Sequence, residues 1–138
     1  LHLVGFTVRL SVILLRKNCD HYFIESMLKF ARTNNVEQLT FTPVNAPSSS
    51  QAPEIREWVS RNRPEEAEML AFVGYVHSAG HKLLELPHGA VVYDVDGQNV
   101  CLSNCLSAPA NNGQIRNLIF YPNGRLAYDW QFKGAIIL

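Results

Sequence analysis

The sequence predicts an α/β (α+β) fold: one βαβ unit with two parallel strands, two further helices, then an antiparallel C-terminal meander. Three observations point there. An aliphatic run, Val12-Ile13-Leu14-Leu15, is apolar at every position, as in a strand covered on both faces. Phe23, Ile24, Met27, Leu28 and Ala31 then recur at helical spacing. After Pro87 the pattern changes to short strand-like runs separated by Asp96-Gly97 and Asn123-Gly124, dipeptides suited to hairpin turns.

Taken in order, Val4 to Leu15 reads as the first strand, and Asp20 offers an N-cap to the helix that follows. Asn34-Asn35 suits the left-handed residue that ends it. Leu39 and Phe41 alternate with Thr40 and Thr42 in the second strand, so residues 1–44 form the βαβ unit, with a right-handed crossover. Pro43 to Ala52, with its prolines and serines, is a loop. Pro53 opens a short helix expected to bury Ile55, Trp58 and Val59. Pro64 opens another, led by Glu65, Glu66 and Glu68, whose charge suits the positive end of the helix dipole. That helix is expected to run to about Leu84, weakened by Gly74 and Gly80. Loop and helices make up 45–86. In 87–138 strands are expected at Ala90 to Val95, Asn99 to Leu106, Ile115 to Tyr121 and Leu126 to Gln131, with a short one at Ala135 to Leu138.

A chain of 138 residues is expected to be a single domain, 1–138. Its net charge of +0 argues against nucleic acid, which selects a basic excess. The longest aliphatic run is too short for a membrane span, and Leu1-His2-Leu3-Val4 lacks the features of a signal peptide. A start without Met reads as trimming or as a piece of a longer frame. Three cysteines, with no other sign of secretion, suggest reduced thiols in the cytoplasm.

Val8-Arg9-Leu10-Ser11-Val12-Ile13-Leu14-Leu15, the helix, and Val36 to Pro43 together resemble a late β/α unit of radical SAM enzymes. Pro53-Glu54-Ile55-Arg56-Glu57-Trp58 resembles the segment after that family's last barrel strand, and Ile119 to Gly124 with Tyr128-Asp129-Trp130 resembles its close. The resemblance implies a partial barrel of parallel strands, a four-iron cluster and SAM. The family's C-x3-C-x2-C signature is not met, however: Cys101 and Cys105 have C-x3-C spacing, and the third position is Ala108. Two thiolates cannot hold such a cluster. The expectation is therefore no cofactor and no catalytic residue of that chemistry. Ser11 falls near a position where the family touches the SAM ribose, but it stands without the other barrel walls.

Other constellations are weighed against plainer readings. His77 and His81 would share one face of a long helix and are the candidate metal ligands, with Glu85 and His88 beyond. Two ligands fall short of what zinc wants, and Ser78 stands where a catalytic zinc motif needs Glu, so hydrogen-bonded histidines are preferred. Asp94-Val95-Asp96-Gly97 resembles the start of a calcium loop, but Cys105 occupies the place of the final Glu. Cys19 beside His21 lacks a third group for nucleophilic work. Arg56, Arg61 and Arg63 could meet phosphate, but the interleaved Glu54, Glu57, Glu65 and Glu66 favour a solvated mixed-charge face.

Three functions remain. The first is a non-catalytic remnant or interaction module that forms a homodimer through an exposed sheet edge or face, because the first strand lacks a neighbour on its outer side. The second is a small-molecule-binding domain. Its pocket or interface would involve Trp58, Tyr75, Tyr128 and Trp130. The third is an accessory fragment of a cluster-bearing enzyme.

Overall fold

The computed structural model of the chain describes residues 2–45, 53–86, 89–103, 118–127 and 137. Within these, the α/β class stands: three α-helices accompany a five-stranded mixed sheet and a small antiparallel pair. The strands are β1 (Arg9–Leu14), β2 (Gln38–Pro43), β3 (Gly80–Glu85), β4 (Val91–Val95), β5 (Gln98–Leu102), β6 (Ile119–Phe120) and β7 (Leu126–Ala127). The helices are α1 (His21–Thr33), α2 (Pro53–Asn62) and α3 (Glu66–Ala79). Sheet order is β1-β2-β5-β4-β3, with β1 parallel to β2, β2 parallel to β5, and the remaining pairs antiparallel. Among the described residues, no helix is long and apolar enough to cross a membrane.

The βαβ unit forms as expected, and its caps explain where α1 begins and ends. The Asp20 carboxylate accepts the Phe23 N–H at 2.7 Å, satisfying one of the helix's open donors. At the other end Asn35 takes a φ of 52°, and Val36 N–H reaches back to Ala31 C=O at 2.8 Å. Ile24, Leu28 and Ala31 lie on the buried stripe of α1. β1 is shorter than Val4 to Leu15, because His2–Val4 form a 3-10 turn. It is also less covered than its composition suggested: Leu14 is buried, while Ile13 is half exposed on the face away from the helices.

α1 and α3 cover one face of the sheet, and the main core lies between. Leu39, Phe41, Val100, Tyr93 and Val95 from the strands meet Ile24, Leu28, Phe72 and Val76 from the helices. Phe41 and Phe72 pack edge to face, centroids 5.2 Å apart, an arrangement that adds roughly 1 kcal/mol to the burial itself. Two polar groups tie the amino end of β5 and the carboxyl end of β4 to the helical layer. Buried Gln98 donates to Val36 C=O at 3.0 Å, and Arg32 donates to Val95 C=O at 3.1 Å. α2 departs from expectation, since only Val59 is buried while Ile55 and Trp58 are half exposed.

The largest correction concerns residues 80–85. The helix expected to reach Leu84 stops at Ala79, and Gly80–Glu85 form β3, antiparallel to β4. Gly80 makes that corner possible. A Cβ placed there would lie 2.9 Å from the backbone oxygens of Asp94 and Val76 and from Val95 Cγ2. Only a residue without a side chain lets strand and helix approach this closely.

The meander is also corrected. β4 and β5 form the expected hairpin, with Asp96 and Gly97 at φ 48° and 79° in a two-residue turn. β5 then joins β2 in parallel rather than continuing an antiparallel series, and β6 and β7 form a separate pair. Pro122 fixes a negative φ, so the turn there is built on Pro122-Asn123 with Gly124 in the left-handed position at φ 82°. Gly124 N–H bonds to Tyr121 C=O at 2.9 Å. The strand expected at Asn99 to Leu106 is described as far as Leu102, and the part of Ile115 to Tyr121 at 115–117 lies outside the described residues.

Candidate functional site

β1, β2 and β5 run in the same direction, so their carboxyl ends open on one end of the sheet. Leu14 closes β1, Phe41 and Pro43 come from the last part of β2, and Leu102 and Ser103 close β5. Antiparallel β4 enters beside them and supplies Val91 and Tyr93. α3 crosses this end and adds Met69, Phe72, Val73 and His77. Together these groups enclose a cleft of about 260 Å³ with a largely apolar wall. Open α/β sheets bind ligands at this end, because the strands splay and their connections diverge there.

The polar groups in the cleft are few and placed to one side. The Tyr93 hydroxyl and His77 Nε2 share a hydrogen bond of 2.6 Å, with the rings tilted by 39°. Tyr93 is buried whereas His77 is exposed, so the pair links the interior of the cleft to solvent. Ser103 N–H bonds to Phe41 C=O at 2.9 Å, which extends the parallel pairing to the mouth of the cleft. An apolar slot with two or three convergent polar groups is the usual form of a small-molecule site.

The candidates named from sequence fall elsewhere, with one exception. His77 lies in the cleft, but His81 does not join it. α3 ends before His81, and the register of β3 sets His81 opposite Asp94, on the sheet face turned away from the helices. The two histidines therefore share no helix face and form no metal pair. Among the described residues no group of three or more His, Cys, Asp or Glu could hold a metal ion. Tyr75 donates to the Glu25 carboxylate at 3.2 Å, linking α3 to α1, and burial with that carboxylate raises its pKa. Neither Tyr75 nor Trp58 lines the cleft. Tyr128 and Trp130, like His88 and Cys105, lie outside the described residues.

Ser11 is exposed on β1, in register with Thr40, on the face opposite α1 and α3. Cys101 lies on that same face, packed with Ala90 and Val92. Cys19 is buried on the helical side, its Sγ 3.8 Å from Met69 Sδ. Its pKa is pushed up to about 11, first by burial and then by Glu68 and Asp20, so it is a poor nucleophile. Cys19 and Cys101 thus stand on opposite sides of the sheet. Asp94 accepts the Gly97 N–H at 2.6 Å within the hairpin turn, a structural task.

The arginines divide in a way the sequence did not reveal. Arg61 pairs with Glu57 at 2.5 Å along α2. Arg56 and Arg63 instead line a second pocket of about 340 Å³ together with Arg16, which follows β1. Arg16 was not singled out from sequence; its place two residues beyond the buried end of an aliphatic strand was the available signal. No protein-family model, curated protein or solved structure matches the chain.

Proposed function

We propose that the chain is a small-molecule-binding domain whose ligand sits in the apolar cleft at the carboxyl ends of β1, β2 and β5. The observation that carries this reading is the cleft itself, an opening of about 260 Å³ beside the hydrogen-bonded pair of buried Tyr93 and exposed His77. An apolar cavity of roughly 150 Å³ admits benzene, and drug-sized ligands fill roughly 300 Å³ or more. The volume therefore suits a compact molecule of one or two rings, or a short branched chain, carrying one polar group for Tyr93 or Ser103. We place the chain in the cytoplasm, where Cys19 and Cys101 would remain reduced thiols.

A melting-temperature screen with phenol, indole, cyclohexanol and their uncharged relatives tests the reading. Ring alcohols raise the melting temperature of the native chain in proportion to occupancy. Val73→Phe, which fills the cleft from half-buried Val73, abolishes the shift while the variant stays folded. A flat response across the panel, or equal shifts in Val73→Phe, contradicts the proposal.

A second reading, a homodimer through the edge of β1, rests on β1 being a terminal strand of its sheet. By strand alternation Arg9, Ser11 and Ile13 direct their backbone groups outward, and Asn18 Nδ2 already caps Ile13 C=O at 3.1 Å. Arg9 places a charge on the remaining edge, which opposes strand addition. Sedimentation velocity decides: a concentration-dependent dimer that Ser11→Pro dissociates supports the edge interface, and a monomer at all concentrations excludes it.

A further inference from the structure

Tyr93 and His77 both line the cleft, and they are bonded to each other, the phenol oxygen to Nε2 at 2.6 Å. Which of the two supplies the proton decides what the cleft offers a ligand, because a phenol donates once and accepts through its oxygen lone pairs. The distance answers this. Ring N–H donors meet oxygen at about 2.7–3.2 Å, whereas hydroxyl donors come closer, at about 2.5–3.0 Å. At 2.6 Å the Tyr93 hydroxyl donates and Nε2 accepts. The imidazole then carries its proton on Nδ1, on the other side of the ring, where solvent receives it because His77 is exposed.

With its proton committed to His77, the oxygen of buried Tyr93 can only accept, and among the described residues His77 is its one hydrogen-bond partner. Lys82 stands opposite Tyr93 in the β3–β4 register, but its ammonium is held by Glu85 at 2.5 Å. Other donors on the cleft wall are already used. Gly89 N–H goes to Leu86 C=O and Ser103 N–H to Phe41 C=O, each at 2.9 Å, and the Ser103 residue has a further partner. The remaining wall, from Leu14, Phe72, Val73 and Leu102, is apolar. In such a slot a ligand N–H or O–H gains an acceptor, whereas a ligand carbonyl brings a second acceptor against the Tyr93 lone pairs and stays unpaired.

Resting on the reading of this cleft as a ligand site, we infer that it selects molecules that donate a hydrogen bond to the Tyr93 oxygen. These are compact alcohols, phenols and N–H heteroaromatics, taken in preference to ketones and ethers of the same shape. Tyr93 makes the discriminating contact. His77 is a positioning residue: it fixes the direction of the Tyr93 O–H and thereby turns the oxygen into an acceptor.

The test is calorimetric titration of the full chain at about pH 8, where an imidazole is ordinarily neutral, with two pairs of matched shape. One pair is indole and benzofuran, the other cyclohexanol and cyclohexanone. In each, the donor is expected to bind roughly tenfold more tightly, as one unmatched hydrogen bond in a dry site implies. Tyr93→Phe keeps the ring and erases the difference. His77→Ala alters an exposed side chain and frees the Tyr93 O–H, so cyclohexanone gains on cyclohexanol until the gap closes or reverses. A role limited to packing would instead weaken both members alike and leave their ratio unchanged, which overturns the inference. Equal binding within both pairs, abolished by Val73→Phe, overturns it too while leaving the cleft as a ligand site. So does a preference for the donor that survives Tyr93→Phe. No saturable binding by any of the four compounds removes the cleft reading, and this inference with it.

Discussion

Gly80 and Gly74 lie six positions apart, yet alanine at the two should have opposite effects. Gly80 has an extended backbone, φ −126° and ψ 159°, which any residue adopts, so its glycine is required for space alone. An alanine Cβ would meet three atoms at 2.9 Å, where tolerable contacts begin near 3.4 Å. Each neighbour must therefore yield by 3.4 − 2.9 = 0.5 Å. Two of the three are backbone oxygens, of Asp94 in β4 and Val76 in α3, so relief requires the helix to move away from the sheet. Overpacking of this kind costs about 1–3 kcal/mol, and the rigid neighbours put Gly80→Ala toward the upper half. Gly74 sits inside α3 with nothing within 4 Å of its notional Cβ. Alanine there removes backbone freedom from the unfolded chain and gains about 0.5–1 kcal/mol. For a chain of this size, 1 kcal/mol moves the melting temperature by roughly 3–5 °C. Circular-dichroism melts should thus show Gly80→Ala about 6–15 °C below the native chain and Gly74→Ala about 2–5 °C above it. A Gly80→Ala variant as stable as the native chain would refute the close approach of α3 and β3.

Three further outcomes follow from buried or bonded groups. Thr40 Oγ1 is buried with no hydrogen-bond partner among the described residues, so Thr40→Val should be neutral or stabilising by up to about 1 kcal/mol in urea melts, and a loss of that size would show that the hydroxyl is bonded. Cys19 ionises at about 11 in the fold, pushed up by burial, against 9.0 for a free thiol. Its share of stability is therefore intact below pH 9.0 and lost as the pH rises toward about 11, and Cys19→Ala should flatten that part of the stability profile. The Glu37 carboxylate accepts the Val8 N–H at 2.6 Å, which, with His2, holds its pKa below the usual value. Its contribution is present above the ordinary pKa of 4.5 and disappears as the pH falls through the lowered one, so Glu37→Gln should weaken the chain at pH 7 and converge with it in acid.

Local chemistry in the sequence reached as far as local chemistry could. Asp20, Asn35 and the Asp96-Gly97 turn were readable because each acts on its own neighbours, and the alternation of Leu39 and Phe41 identified β2. β3 was not readable. His81-Lys82-Leu83-Leu84-Glu85 continues the composition of α3 without a break, and the exposed strand shows no alternation of burial. What turns it into a strand is distant: pairing with β4 and the contact of Gly80 with Asp94 C=O. The parallel pairing of β5 with β2 is likewise long-range, and it is what gathers Leu14, Pro43 and Leu102 around the cleft. The arginine pocket was missed for the same reason. Read along α2, Arg56, Arg61 and Arg63 merge into a mixed-charge face, and only the fold brings Arg16 to two of them.

The cleft can be probed most directly by methyl NMR of the chain titrated with indole. The account predicts saturable shifts at Leu14, Val73, Val91 and Leu102, with Val36, beside Gln98 at the amino ends of β2 and β5, unmoved. Shifts spread evenly over exposed Leu83, Leu84 and Ile55, or none at the four cleft methyl groups, would contradict it.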